Sequence, residues 1–277
     1  MNKIEIGPKS LLLQALKNDL EHLSDGQKLE DRPTEFAHKN DAGYGITLRR
    51  ISDQDIKSDT LRVGLVVGNG SVLSSLPRIP ADLVILVDRN KFIARWTLET
   101  ARILSTTPSP DDYRKSVYEG RNSLFYRYFN WWHPIARLRA SGDIGMEMGD
   151  LGKEHFLSSQ EHFDECKDAL ARKRLLTTAL DLTNPFIVAR LGRIIRLMSG
   201  EITFANLTNV WEHASREGKA DALRQTLSLL PFHEAAVILH SSSAYEFGGI
   251  LPRTMGIQRG LPAYLRSVSQ NPRWVKE

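Results

Sequence analysis

Gly68, Gly70 and Asp88 stand at a spacing that suits a ligand carrying a ribose. The glycines close the run Val63-Gly64-Leu65-Val66-Val67-Gly68-Asn69-Gly70-Ser71, and Asp88 ends the next apolar run, Leu83-Val84-Ile85-Leu86-Val87. Both runs are short, continuous and rich in β-branched residues, as buried strands are. Without a Cβ the glycines let the backbone approach a ligand closely. A carboxylate at the end of the neighbouring strand accepts hydrogen bonds from both ribose hydroxyls. Gly68, Asn69, Gly70 and Asp88 are therefore candidate cofactor-binding residues, and Arg89 shares their loop. Each half has a plainer reading: a G-x-G pair is a common turn, and Asp88 suits the cap of a helix opening near Asn90. Together they make the ligand reading.

The third glycine of a G-x-G-x-x-G fingerprint is absent, since Leu73 stands there, and Pro77 and Pro80 follow closely. A pyrophosphate wants a close glycine and a good helix N-terminus. A neutral or cationic nucleoside suits this turn better.

Asp181 and Leu182 lie at the end of another apolar run and precede Thr183-Asn184-Pro185. They are candidates for contact with a base, or a capping cluster for the following helix. Asn206-Leu207-Thr208-Asn209 follows a short strand. Its amides suit either a turn or the orientation of a substrate, and Asn206 and Asn209 are the candidate catalytic pair. Glu212 and His213 are weaker candidates for a general base. The tract Phe125-Tyr126-Arg127-Tyr128-Phe129-Asn130-Trp131-Trp132-His133-Pro134 reads as a packed anchor or as an aromatic wall over a ligand. With Arg127, Arg137 and Arg139 it also admits a nucleic-acid or phosphate surface. His240-Ser241-Ser242-Ser243 lacks the G-x-S-x-G elbow of a serine nucleophile. No histidine pair has metal-ligand spacing, so no metal is expected.

The elements that must position these groups alternate. Strands are expected at Leu61–Val67, Leu83–Val87, Leu175–Leu182, Glu201–Ala205 and Glu234–His240. Helices are expected at Lys91–Leu104, Pro185–Met198, Val210–Arg216 and Ala220–Leu230. The fold class is α/β: a Rossmann-like, mostly parallel sheet with helices on both faces. Residues 1–60 form an N-terminal extension with an amphipathic helix over 9–23, a polar loop over 24–42 and a short strand over Tyr44 to Ile51. Residues 61–277 form the binding domain, with an insertion at about 105–174 that contains a helical stretch around Ser158–Arg172. In this layout the glycine turn, Asp88, Asp181 and Asn206 all fall at the carboxyl ends of strands, where such sheets bind ligands.

The bulk properties fit one large domain of 277 residues with a net charge of +4 and a single cysteine, Cys166. An intramolecular disulfide and a multi-cysteine zinc site are excluded. No apolar run approaches the roughly 20 residues that span a bilayer, and the N-terminus has no signal-peptide core. A cytoplasmic protein is the default, with signal-less export left open.

On Val63–Ser71, Asp88, Asp181 and Asn206–Asn209 the chain resembles the Rossmann-like class I S-adenosylmethionine-dependent methyltransferases. The resemblance covers roughly residues 60–104 and 175–243. It implies S-adenosylmethionine as cofactor, with Gly68 and Gly70 against its amino-acid part, Asp88 on the ribose and Asp181 near the adenine. The acid usual near the end of the first strand is replaced by Leu65-Val66-Val67, and no (D/N)PPY-type motif is present. Methylation of nucleobase amino groups therefore loses support. The same pocket also suits transfer of the aminocarboxypropyl group. A nicotinamide-dependent oxidoreductase and a non-catalytic binding protein are the rival readings. The acceptor is not legible.

Overall fold

A computed structural model of the chain describes residues 17–31, 44–51, 56, 60–68, 72–119, 122–129, 151–208, 210–242, 245–246, 249–250 and 254–269. Six strands form one sheet: β1 (Leu61–Val67), β2 (Leu83–Asp88), β3 (Arg174–Ala179), β4 (Gly200–Asn206), β5 (Phe232–Ser242) and β8 (Thr254–Arg259). Their order is β3-β2-β1-β4-β5-β8. All neighbours are parallel except β5 and β8. A two-stranded pair, β6 (Tyr245–Glu246) and β7 (Gly249–Ile250), lies outside this sheet. The expected α/β architecture is thus present, with an antiparallel edge added.

Side-chain alternation divides the core in two. Val84 and Leu86 of β2 face one apolar cluster, and Leu83, Ile85 and Val87 face another. The first is covered by α3 (Lys91–Thr106), α4 (Pro110–Val117) and α6 (Gln160–Arg172), which contribute Phe92, Trp96, Tyr113 and Phe163. The second is covered by α7 (Pro185–Leu197), α8 (Val210–Arg216), α9 (Ala220–Leu227) and α10 (Leu261–Ser269). A strand with apolar residues at both parities needs cover on both faces, which is why these runs read as continuous. Each fully buried side chain of this size contributes about 1.5–3 kcal/mol. Gly64 permits a close layer contact: a Cβ there would stand 3.0 Å from Cγ2 of Ile79 and 3.3 Å from Cβ of Ala81.

One expectation is corrected. Residues Tyr44–Arg49 form a helix, α1, not a strand. Leu48 and Ile51 both enter the first core cluster. Residues three apart share a helix face and would point oppositely from a strand. Helix α3 ends at Thr106, within the two-proline tract Ser105–Asp112, and the chain is irregular at Thr107–Ser109. Pro110 opens α4 in its first turn, behind the Ser109 cap, whose Oγ accepts from the Asp112 N–H at 3.2 Å. The strand β8 and helix α10 at the C-terminal end were not foreseen. Residues 17–21 are helical, followed by a 3₁₀ turn at His22–Ser24; the earlier part of the expected 9–23 helix lies outside the described residues. Among the described residues no helix is long and apolar enough to cross a membrane.

Candidate functional site

The chain runs from β1 outward to β2 and β3, then crosses back from β3 to β4 on the other side of β1. This switch point opens a crevice at the carboxyl ends of β1 and β4. Gly68 follows β1 there with φ of +78°, a left-handed conformation natural only to glycine, and its N–H donates to the Val87 carbonyl at 3.1 Å. The chain thus turns sharply while still tied to β2. Asn69 and Gly70 lie outside the described residues.

Register sets the heights of the candidates. Val67 is level with Val87, so Asp88 stands level with Gly68 on the adjacent strand. The Asp88 carboxylate is half-buried, and its Oδ1 accepts from the Asn90 N–H at 2.7 Å. Asn90 in turn caps α3, accepting from the Phe92 N–H at 3.0 Å. A carboxylate accepts through about four lone-pair directions. Holding this loop and holding a ribose are therefore compatible roles.

Asp181 lies beyond β3. Its Oδ1 accepts from the Thr183 N–H at 2.8 Å and from the Thr183 hydroxyl at 2.7 Å. The capping role of this cluster is met by Asn184, whose Oδ1 accepts from the N–H groups of Phe186 and Ile187 at the start of α7. Leu182 is buried in the second core cluster, and its carbonyl accepts from the Thr226 hydroxyl at 2.5 Å.

Asn206 is level with Val66, two residues short of Gly68, or roughly 6–7 Å down the strand. It is buried, and its Oδ1 accepts from the Thr208 N–H at 3.3 Å and the Thr208 hydroxyl at 2.9 Å. This side chain shapes the turn after β4. Asn209 lies outside the described residues.

Arg89 joins three separate segments. It pairs with Glu30 at 3.3 Å and with Glu217, and Glu217 pairs with Lys219 at 2.9 Å. Lys219 stands 3.9 Å from Asp181. The N-terminal segment is stitched to the same edge: the Glu30 N–H donates to the Arg89 carbonyl at 3.2 Å and the Lys91 N–H to Glu30 at 2.8 Å. Gln27 Oε1 accepts from the Asp181 N–H at 3.2 Å, and Asp31 pairs with Arg95 at 2.7 Å. Residues 27–31 thus wall the carboxyl ends of β2 and β3. Hydrogen bonds from Lys219 and Arg89 hold the Glu217 carboxyl below its ordinary range, and the bond to Glu217 pushes the Arg89 guanidinium up. Sequence reasoning missed Gln27, Glu30, Glu217 and Lys219. They come from distant polar stretches, and no local pattern marks them.

The segment after the glycine turn is short: a four-residue helix α2 (Val72–Ser75) and a 3₁₀ turn at Leu76–Arg78. Leu73 is buried in the first cluster, occupying the space that a third glycine would leave for a closer helix. Lys173, 8% exposed, donates from Nζ to the Leu76 carbonyl at 2.9 Å and also to the Ile79 carbonyl. Its ammonium satisfies the end of this turn and fixes the floor beneath it.

The aromatic tract is described as far as α5 (Leu124–Phe129). There it packs: Tyr128 lies edge-on to Phe92 at 5.3 Å and to Trp96 at 6.0 Å, and its hydroxyl bonds Glu99. Residues 130–134, Arg137 and Arg139 lie outside the described residues. Glu212 is buried and bonded to Arg216 on its own helix. Burial holds the His213 imidazole below its ordinary range, as it does that of His240. Among the described residues no cluster of His, Cys, Asp and Glu is arranged to hold a metal.

No protein-family model matches the chain, and no curated protein sequence does. Two solved structures of the rRNA methyltransferase aviRa from Streptomyces viridochromogenes are similar to it. One, at 2.4 Å, shares 13% identity with a TM-score of 0.42. The other, at 1.5 Å, shares 12% identity with a TM-score of 0.43. Each match covers 92% of this chain and 96% of the other. Likeness this distant carries no functional argument, which rests on the geometry above.

Proposed function

We propose that the chain is an S-adenosylmethionine-dependent transferase, and specifically a methyltransferase. The observation that carries this reading is the level placement of Gly68, with its left-handed backbone, and Asp88 at the switch point of the sheet. Gly68 leaves room for the amino-acid part of the cofactor, and the Asp88 carboxylate accepts from the ribose hydroxyls. Asp181 and the wall of residues 27–31 border the side of the crevice where the base would rest.

The residues fit a sulfonium nucleoside better than a dinucleotide. A pyrophosphate draws on a helix N-terminus with an aligned dipole. The four-residue α2, with all of its residues buried and Leu73 filling the packing space, offers neither length nor approach. When bound, the cofactor supplies an electrophilic methyl group. The chain's own part is to fix the cofactor's orientation and to hold the acceptor in line with that methyl, a task of proximity more than of strong base catalysis. Asn206 serves this by shaping the turn after β4, and we assign Asn209 to acceptor contact beside it.

Calorimetric titration with S-adenosylmethionine, S-adenosylhomocysteine and NAD tests the reading. Binding of the first two without the third is expected. Binding of NAD alone would move the chain to the oxidoreductase class. An Asn209→Ala variant should retain cofactor affinity and lose transfer, and loss of affinity instead would place Asn209 in the cofactor site.

A further inference from the structure

The outer face of α7 carries a pattern that the packing of the sheet does not require. Its inner face is wholly committed to the core through Ile187, Val188, Leu191, Ile194 and Ile195. Outward stand Phe186, Arg190, Arg193 and Leu197, at intervals of four, three and four, which place them in one stripe. Phe186 is 80% exposed and Leu197 71% exposed, the two most exposed large apolar side chains among the described residues. Arg190 and Arg193 are exposed and have no ion pair among the described residues. The acids on neighbouring elements are engaged elsewhere: Asp221 with Arg224 at 3.9 Å and Asp25 with His22 at 2.9 Å. Arg196, beside the stripe, is anchored to the Leu229 carbonyl at 2.8 Å.

Position gives the stripe a direction. The helix opens just beyond β3, so Phe186 stands at the carboxyl edge of the sheet, five residues after Asp181. The arginines descend from it along the side of the domain. An exposed aromatic ring next to guanidinium groups that have no ion pair among the described residues is the chemistry that takes a base on its face and phosphates on its cations.

We propose that this face of α7 docks a single-stranded polynucleotide, with Phe186 stacking a base at the mouth of the crevice and Arg190 and Arg193 holding phosphates. This rests on the transferase reading in one respect, that the docked strand is the acceptor. The two apolar ends lie about 16 Å apart along the helix, at 1.5 Å per residue, with cations between them. They therefore form no contiguous apolar patch for a second copy or a bilayer.

The test is fluorescence anisotropy of a labelled single-stranded oligonucleotide, as RNA and as DNA of one sequence, against the whole chain. Phe186→Ala should weaken binding by about tenfold or more. Arg190→Gln with Arg193→Gln should lower the slope of log affinity against log salt by about 1.4, the value for two phosphate contacts on a single strand. These side chains are exposed, and the Asn184 cap accepts from the backbone N–H groups of residues 186 and 187, so melting temperatures should not change. Failure of both strands to bind overturns the proposal, as does an unchanged affinity in Phe186→Ala. Equal binding of the duplex, or preferential binding to anionic vesicles, overturns it as well. Calorimetry with S-adenosylhomocysteine on the same proteins keeps the two readings apart. Cofactor binding without oligonucleotide binding defeats the docking surface alone, and the converse defeats the transferase alone.

Discussion

At the scale of single residues, the account turns on carboxylates and imidazoles whose surroundings set their charge. Asp88 is asked to do two things, and one substitution separates them. Asparagine can still accept from the Asn90 N–H, but it has no charge to offer two ribose hydroxyls. Asp88→Asn should therefore keep its melting temperature and lose about tenfold or more in S-adenosylmethionine affinity, as removal of a charged hydrogen bond of about 1.5–3 kcal/mol implies. His213 and His240, each partly desolvated, predict a pH dependence of stability. Burial lowers both His213 and His240 below the ordinary value of 6.5. The unfolded chain then takes up protons first as the pH falls, so their neutral forms favour the fold fully above that value. The contribution is lost as the pH drops from there through the depressed folded values. Melting followed from about pH 8 to about pH 5 should show an acid limb that flattens in a His213→Gln, His240→Gln variant. An unchanged limb would assign acid loss to other groups. His240 is held by its own neighbours: it lies opposite Gly256, where a Cβ would come within 2.5 Å of its Nε2.

At the scale of elements, the structure explains which parts of the fold were legible. Strands β1 and β2 read clearly because both faces are buried, so each is a continuous apolar run, one closed by Gly68 and the other by Asp88. Helix α3 was legible from its periodicity, though its cap is Asn90 rather than Asp88, whose carboxylate instead accepts from the Asn90 N–H. The segment Tyr44–Arg49 misled because its tyrosine, isoleucine and threonine favour strands locally, while tertiary packing of Leu48 and Ile51 on one side imposes a helix. Strand β8 was hidden by Gly256 and Gln258, which break its apolar alternation because it pairs only with β5 at an edge. The network around Arg89 was illegible in principle, since Glu30 and Glu217 meet only once the chain is folded. Lys173 was likewise silent in sequence, yet it pins the turn after Gly68. Lys173→Met should strip the Leu76 carbonyl of its Nζ partner and leave the Ile79 carbonyl with the Ala81 N–H alone, lowering stability by about 1–3 kcal/mol in urea melts. A loss under about 0.5 kcal/mol would show that these carbonyls find other partners.

At the scale of the whole molecule, a doubly wound sheet gathers three loops and an N-terminal wall at one edge. Arg89 ties the wall to the α8–α9 turn through Glu30 and Glu217. Glu217→Gln should loosen residues 27–31, read as faster amide exchange there with the core unchanged; unchanged exchange would show that the backbone bonds of Glu30 suffice. The proposed cofactor site rests in sequence on Gly68 and Asp88, and the fold adds their equal height and the short α2 that disfavours a pyrophosphate. The proposed docking face had no sequence signal, because exposure of Phe186 and of two arginines depends on which face of α7 the core consumes. The most direct test of the central claim is calorimetry of the whole chain and of Asp88→Asn with S-adenosylhomocysteine. The account predicts one site per chain in the unaltered protein and an affinity weakened about tenfold or more in the variant. No heat of binding at millimolar ligand, or equal affinity in the two proteins, would contradict it.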